Sequence, residues 1–265
     1  MNQKYPSSPN SSSSPPQGIG QEAIPRQVSI SSPTATPAVT YTLMGITIIV
    51  FILQMASESI IGVDYPALLG MKVNELIIQG QLWRLITPVL LHGSFLHIAF
   101  NMYALFVFGP GLERHFGHGR FLALYLLSGF AGNVFSFLFS TAPSLGASTA
   151  IFGLLGAQGV FFYRNREIYG KIGQRALINI ITVAAINLVI GLSPGIDNWG
   201  HIGGLIGGTL FTWFGGPLMR VEGIYPALRL VDERETGEVT LAGVGDFTLF
   251  ASLAAINIYY LGGFG

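Results

Sequence analysis

The chain contains no cysteine, which excludes disulfides, thiolate metal sites and cysteine nucleophiles together. Charge is nearly as scarce. Asp, Glu, Lys and Arg make up 10% of the 265 residues, where a soluble domain carries roughly 25%. The few charges cancel to a net of zero, so net charge points to no partner class, and no nucleic-acid ligand is expected. No HExxH occurs among His92, His97, His115, His118 and His201, so zinc-protease chemistry is not expected, nor any other metal or cofactor. The N-terminus has no basic start leading into an apolar core, so no signal peptide is expected. Its prolines and near-absence of Arg argue against a mitochondrial transit peptide.

The missing charge leaves long uncharged runs. Residues 121–163, 176–196 and 247–265 carry no Asp, Glu, Lys or Arg, and 198–219 holds only a histidine. About 20 such residues span a hydrocarbon core. The expected fold class is therefore an all-α, polytopic membrane helix bundle. Spans are predicted at 39–57, 94–110, 120–140, 147–163, 175–193, 199–218 and 247–263. Pro143 separates the third from the fourth, and SPGIDN the fifth from the sixth. The loop 58–93 is apolar but broken by proline, as expected of a segment lying in the interface. Residues 1–38, rich in Ser and Pro, are expected to be a disordered tail.

Basic residues set the orientation. With the N-terminus cytoplasmic, eleven of the thirteen Lys and Arg fall inside and only Lys72 and Arg84 outside, the bias of cytoplasmic loops. The second, fourth and sixth spans then run from outside to inside. Their first turns carry His97 and Asn101, Ser148, and His201, at one shallow depth below the outer surface. Each alone has an ordinary reading as a hydrogen-bonding or close-packing group between helices. Together they supply acyl-transfer chemistry: a serine hydroxyl, an imidazole to take its proton, and donors for an oxyanion. Ser148 also begins a helix, where backbone amides are unpaired and the dipole favours negative charge. Spacing shows a shared depth, not a contact between Ser148 and His201.

GAST followed by FGLLGA, HIAFN, QLWR, GPGLERHFG and GHIGGLIGG resemble the motifs of the rhomboid intramembrane serine proteases over residues 81–216, in that family's order. The resemblance implies a six-helix core, at residues 39–220, with a catalytic dyad of Ser148 and His201. It implies that His97 and Asn101 help form the oxyanion hole and that Phe152 packs against the catalytic histidine. Trp83, Arg84, Glu113 and Arg114 match structural motifs and are assigned no chemistry. Thr149 departs from the family's usual glycine after the serine and adds bulk beside the nucleophile. A linker at 221–246 and a seventh span at 247–265 fit the family's six-plus-one variety. The expected function is that of a serine endopeptidase cutting single-pass transmembrane proteins near the outer face of the lipid bilayer. The expected location is the plasma membrane of a bacterium.

Three rival readings compete with this one. Residues 243–246 read GVGD, the motif of intramembrane aspartyl proteases, but that chemistry needs two carboxylates and no other expected span carries one. Asp246 is expected to sit at the N-terminal end of the last helix. A transporter would show paired broken helices around a charged midplane, and neither is visible. Inactive rhomboid-like proteins that bind membrane clients characteristically lack the serine or the histidine, whereas this chain keeps both.

Overall fold

The computed structural model describes residues 30–31 and 35–262. Residues 1–29 and 32–34 of the expected tail, and 263–265 of the expected last span, lie outside the described residues. The elements run β1 (Ile30–Ser31), α1 (Ala38–Ile61), α2 (Tyr65–Gly70), α3 (Asn74–Ile78), two 3-10 turns (Leu82–Leu85 and Thr87–Leu90), α4 (Phe95–Phe116), α5 (His118–Phe139), α6 (Ser148–Arg164), α7 (Arg166–Ile190), α8 (Asn198–Gly215), β2 (Met219–Glu222), β3 (Leu228–Asp232) and α9 (Thr236–Leu261). A long helix occupies each position where the sequence predicts a span.

Among the described residues, α1, α4, α5, α7 and α9 are long and apolar enough to cross a membrane. The other two, α6 with 17 residues and α8 with 18, are shorter and glycine-rich. At 1.5 Å per residue they are roughly 26 Å long, against a hydrocarbon core of about 30 Å. They can be short and less oily because they pack on several helices at once, α6 buried along most of its length and α8 along its glycine face.

Glycine makes that packing possible. In α8 the pairs Gly204/Gly208 and Gly203/Gly207 serve different neighbours. Gly204 lies against the Thr149 carbonyl and Gly208 against the backbone of Gly153, both in α6. Gly203 lies against Phe135 and Ala131, and Gly207 against Ala131, all in α5. Close backbone approach of this kind is how helices associate without a hydrophobic drive between them. Gly204→Ala is therefore expected to lower the detergent melting temperature by the equivalent of about 3 kcal/mol, the upper end for overpacking, because the added methyl meets rigid backbone. Gly245→Ala, with open space around it, is expected to change nothing.

Side chains from elsewhere finish the helix ends. The residue before α1, Pro37, makes no side-chain cap. Glu113 of α4 takes that role, accepting from Val39 N (2.8 Å), Thr40 N (2.7 Å) and Thr40 Oγ1 (2.6 Å) while also meeting His118 Nδ1 (2.6 Å). A carboxylate there complements the positive end of the helix dipole. Arg84 donates to the carbonyls of Met71 (2.7 Å) and Leu68 (2.8 Å), and Trp83 Nε1 to that of Leu69 (3.0 Å). The loop between α1 and α4 is thereby folded on itself, with Leu68, Leu69, Leu82 and Trp83 left exposed.

Three boundaries differ from the sequence reading. α7 begins at Arg166, and Gly170 (φ 48°, ψ −130°) breaks it, in backbone that favours glycine. Residues 219–232 form an antiparallel hairpin, with Met219 opposite Asp232, and β1 adds in parallel to β3 with Ile30 opposite Leu228. The last helix starts at Thr236, well before 247, because Glu235 and Glu238 cap it reciprocally. Asp246 is consequently inside α9 and not at its N-terminal end. It is buried, and neither carboxyl oxygen has a hydrogen-bond partner among the described residues.

Candidate active site

Ser148 is the first residue of α6, and Ala147 before it offers no side-chain cap. The first intrahelical bond runs from Ile151 N to Ala147 O (3.0 Å), so the amides of Ser148, Thr149 and Ala150 stand outside the helix's own ladder. They are donors clustered around the serine hydroxyl. On α8, Asp197 caps the helix by accepting from Gly200 N (3.0 Å), which sets His201 in the first turn.

The two helices bring the candidate pair together. His201 Nε2 lies 3.0 Å from Ser148 Oγ, a hydrogen-bonding distance for a base and its nucleophile. The ring of Phe152, one turn along α6, stacks on the imidazole with centroids 4.3 Å apart and planes 11° from parallel. That stack fixes the ring's orientation. His201 is buried, and its Nδ1 has no hydrogen-bond partner among the described residues, so this is a pair and not a triad.

Thr149 does not crowd the pair. Its side chain fills the notch left by Gly132 of α5 and Gly200 of α8, where an added Cβ would come within 2.6 Å and 3.0 Å of it respectively. The β-branched residue in place of glycine is accommodated on the helix-packing side, away from the hydroxyl.

His97 and Asn101 reach the same region from α4. The His97 ring borders Gly146, where an added Cβ would come within 2.9 Å of it and 3.5 Å of Ser148 Oγ. Asn101 is buried, and its amide donates to the His97 carbonyl (2.9 Å) on its own helix. An amide carries a second N–H. No hydrogen bond joins either residue to Ser148 among those observed in the described residues.

His92, which the sequence offers only as one of five histidines outside any zinc motif, is built into the site. Its Nε2 accepts from Ala147 N (3.4 Å), next to Ser148, and its ring stands edge-on to His97 at 5.0 Å. Burial first, and the neighbouring His97 second, push its pKa down to about 3. A neutral ring is what an accepting Nε2 requires. Gln54 of α1 holds the His92 backbone on both sides, donating to its carbonyl (3.2 Å) and accepting from its N–H (3.0 Å), and also donates to Asp64 (2.8 Å). No pattern of spacing signals this network, since its members come from separate elements.

Among the described residues no three His, Cys, Asp or Glu side chains gather as metal ligands.

A helix bundle with polar groups converging on a serine at a helix start defines a multi-pass membrane protein with a built polar site. The chain belongs to the rhomboid family: the profile described as Rhomboid domain matches residues 79–218, more than half of it. It is similar to rhomboid protease GluP of Bacillus subtilis (strain 168), 44% identical over 174 residues, or 65% of this chain and 34% of that protein. It is 35% identical over 161 residues to RHOMBOID-like protein 9, chloroplastic, of Arabidopsis thaliana, covering 59% of this chain and 36% of that one. With putative rhomboid protease YdcA of Bacillus subtilis (strain 168), identity is 37% over 141 residues, 52% of this chain and 69% of the relative. The chain thus spans about a third of the length of the first two relatives.

Proposed function

We propose that the protein is an intramembrane serine endopeptidase that cuts single-pass transmembrane proteins near the outer face of a bacterial plasma membrane, its N-terminus in the cytoplasm. The observation that carries this reading is the 3.0 Å separation of Ser148 Oγ and His201 Nε2, under the Phe152 ring. His201 takes the hydroxyl proton as Ser148 attacks the scissile carbonyl, forming the new C–O bond and a tetrahedral oxyanion. The amides at the start of α6 and the Asn101 side chain donate to that oxyanion, with His97 beside them. The imidazolium then returns its proton to the leaving amine as the C–N bond breaks. Water, activated by the same imidazole, hydrolyses the acyl-enzyme. Ser148 is only partly buried at its helix end, so water reaches it from the outer side without crossing the bundle.

Substrate entry is assigned to the side of α7. Of the five long apolar helices it is the least buried, resting through Ile180 and Ala184 on the Phe152–Leu155 face of α6. Parting it from its neighbours exposes the least core.

The test is cleavage of a single-pass reporter helix by the protein reconstituted in lipid vesicles. The expected result is one cut near the outer end of the reporter, undiminished by a chelator. Activity lost in chelator and restored by zinc would overturn the serine mechanism.

A further inference from the structure

Lys72 lies in the connection between α2 and α3, outside the spans, and is fully buried. Among the described residues its ammonium forms no ion pair with a carboxylate. It donates to the carbonyls of Ser140 (2.8 Å) and Ala142 (2.9 Å), just past the C-terminal end of α5. The backbone of Lys72 is paired with that of Ser144 in both directions, at 2.9 and 3.1 Å. Asn74, two residues on, donates to the carbonyls of Phe137 (3.3 Å) and Ser140 (3.1 Å). One short segment therefore grips the whole α5–α6 loop from its first carbonyls to Ser144. Three residues beyond stands Ala147, and then Ser148. Gly146, held in a positive-φ conformation (142°), donates to Pro88 O (2.9 Å) and completes the tether.

We propose that Lys72 is a positioning residue for the reaction, its charged ammonium clamping the loop carbonyls so that the amides at the start of α6 are held on the oxyanion. The proposal rests on Ser148 and His201 acting as nucleophile and base. A cation is the natural group for the negative end of a helix dipole, and hydrogen bonds from it are stronger than those of a neutral amine. The charge is kept at a cost. Burial lowers the Lys72 pKa to about 8, against the opposing pull of Asp197 at the start of α8 and Glu75 of α3. The loop residues it clamps carry no charge. A methionine would fill the space without that desolvation penalty.

This separates activity from stability. Above pH 8 the ammonium is lost and the clamp weakens, so turnover falls. Its pKa in the fold lies below the unfolded 10.5, so the folded state binds fewer protons between pH 8 and 10.5. This group's contribution to stability therefore rises with pH in that window.

The chain has three lysines, Lys4, Lys72 and Lys171. In a Lys4→Arg, Lys171→Arg background made by cell-free synthesis, Lys72 can be replaced throughout by thialysine, whose amine is more acidic. The expected result is an alkaline limb of kcat near pH 8 that moves to lower pH with thialysine while the melting temperature does not fall. Lys72→Met is expected to lose about 10²-fold in kcat, the scale of a small misplacement of reacting groups, with KM unchanged. An alkaline limb unmoved by thialysine would overturn the proposal even if Lys72→Met failed to fold, as would a wild-type kcat in folded Lys72→Met. Ser148→Ala run alongside distinguishes the two readings: activity surviving in that variant counts against the serine mechanism and not against Lys72 alone.

Discussion

Alanine at Ser148 or at His201 is expected to abolish cleavage of a transmembrane reporter, by roughly 10⁴–10⁶-fold, as for groups that act as one unit. Non-additivity follows from the geometry. With the two atoms 3.0 Å apart, His201 is the only imidazole hydrogen-bonded to the hydroxyl among the described residues, so each group depends on the other. The double variant should therefore lose no more than the worse single one. Stability separates the two variants. Ser148→Ala removes one oxygen from a partly buried residue and should leave the melting temperature unchanged. His201→Ala also removes the stack on Phe152, worth about 1 kcal/mol, so a small drop in melting temperature is expected for it alone. Near-wild-type turnover in either purified variant would remove that residue from the mechanism.

The second large effect is expected at Asn101. Losing an oxyanion donor typically costs about 10²–10³ in rate, felt in kcat and not in KM. The competing view is that Asn101 and His97 bind helices together. The observed bond favours the kinetic role: the Asn101 amide donates to His97 O of the same helix, and among the described residues no hydrogen bond joins it to another helix. Asn101→Ala should thus keep its melting temperature while turnover collapses. His97→Ala should show the smaller kinetic loss, since its ring also packs against His92 and Gly146. Melting temperature and turnover measured on the same samples separate the two views. An Asn101→Ala protein that melts early but turns over normally when folded would exclude it from the site.

What the sequence made legible was whatever a periodic or compositional signal can carry. Uncharged runs placed the long helices, since lipid demands them. The gathering of His97, Asn101, Ser148 and His201 at one end of their helices was expected from the predicted directions of the spans, although the 53-residue separation of the serine and the histidine hides their contact. GHIGGLIGG stood out as a family motif, but which of its glycines meet α5 and which α6 shows only in the fold. Hydropathy misled at α9, where the charge of Asp246 itself pushed the expected start to 247 and left that residue at the helix's N-terminal end. Capping by Glu235 lay outside the Ser/Thr pattern that marks such starts. Least visible were groups that work across elements through backbone carbonyls. Lys72 read as one of two stray outer charges, and His92 as a histidine outside any motif, because their partners are amides and carbonyls that carry no sequence signature.

The central claim is that His201 makes Ser148 a nucleophile, and covalent labelling tests it most directly. The reconstituted protein is treated with a fluorophosphonate, and the adduct is located by mass spectrometry in wild type and in His201→Ala. The account predicts a single adduct on Ser148, formed as activity is lost and absent when His201 is alanine. An adduct on another residue, or labelling of Ser148 at the same rate without His201, would contradict it.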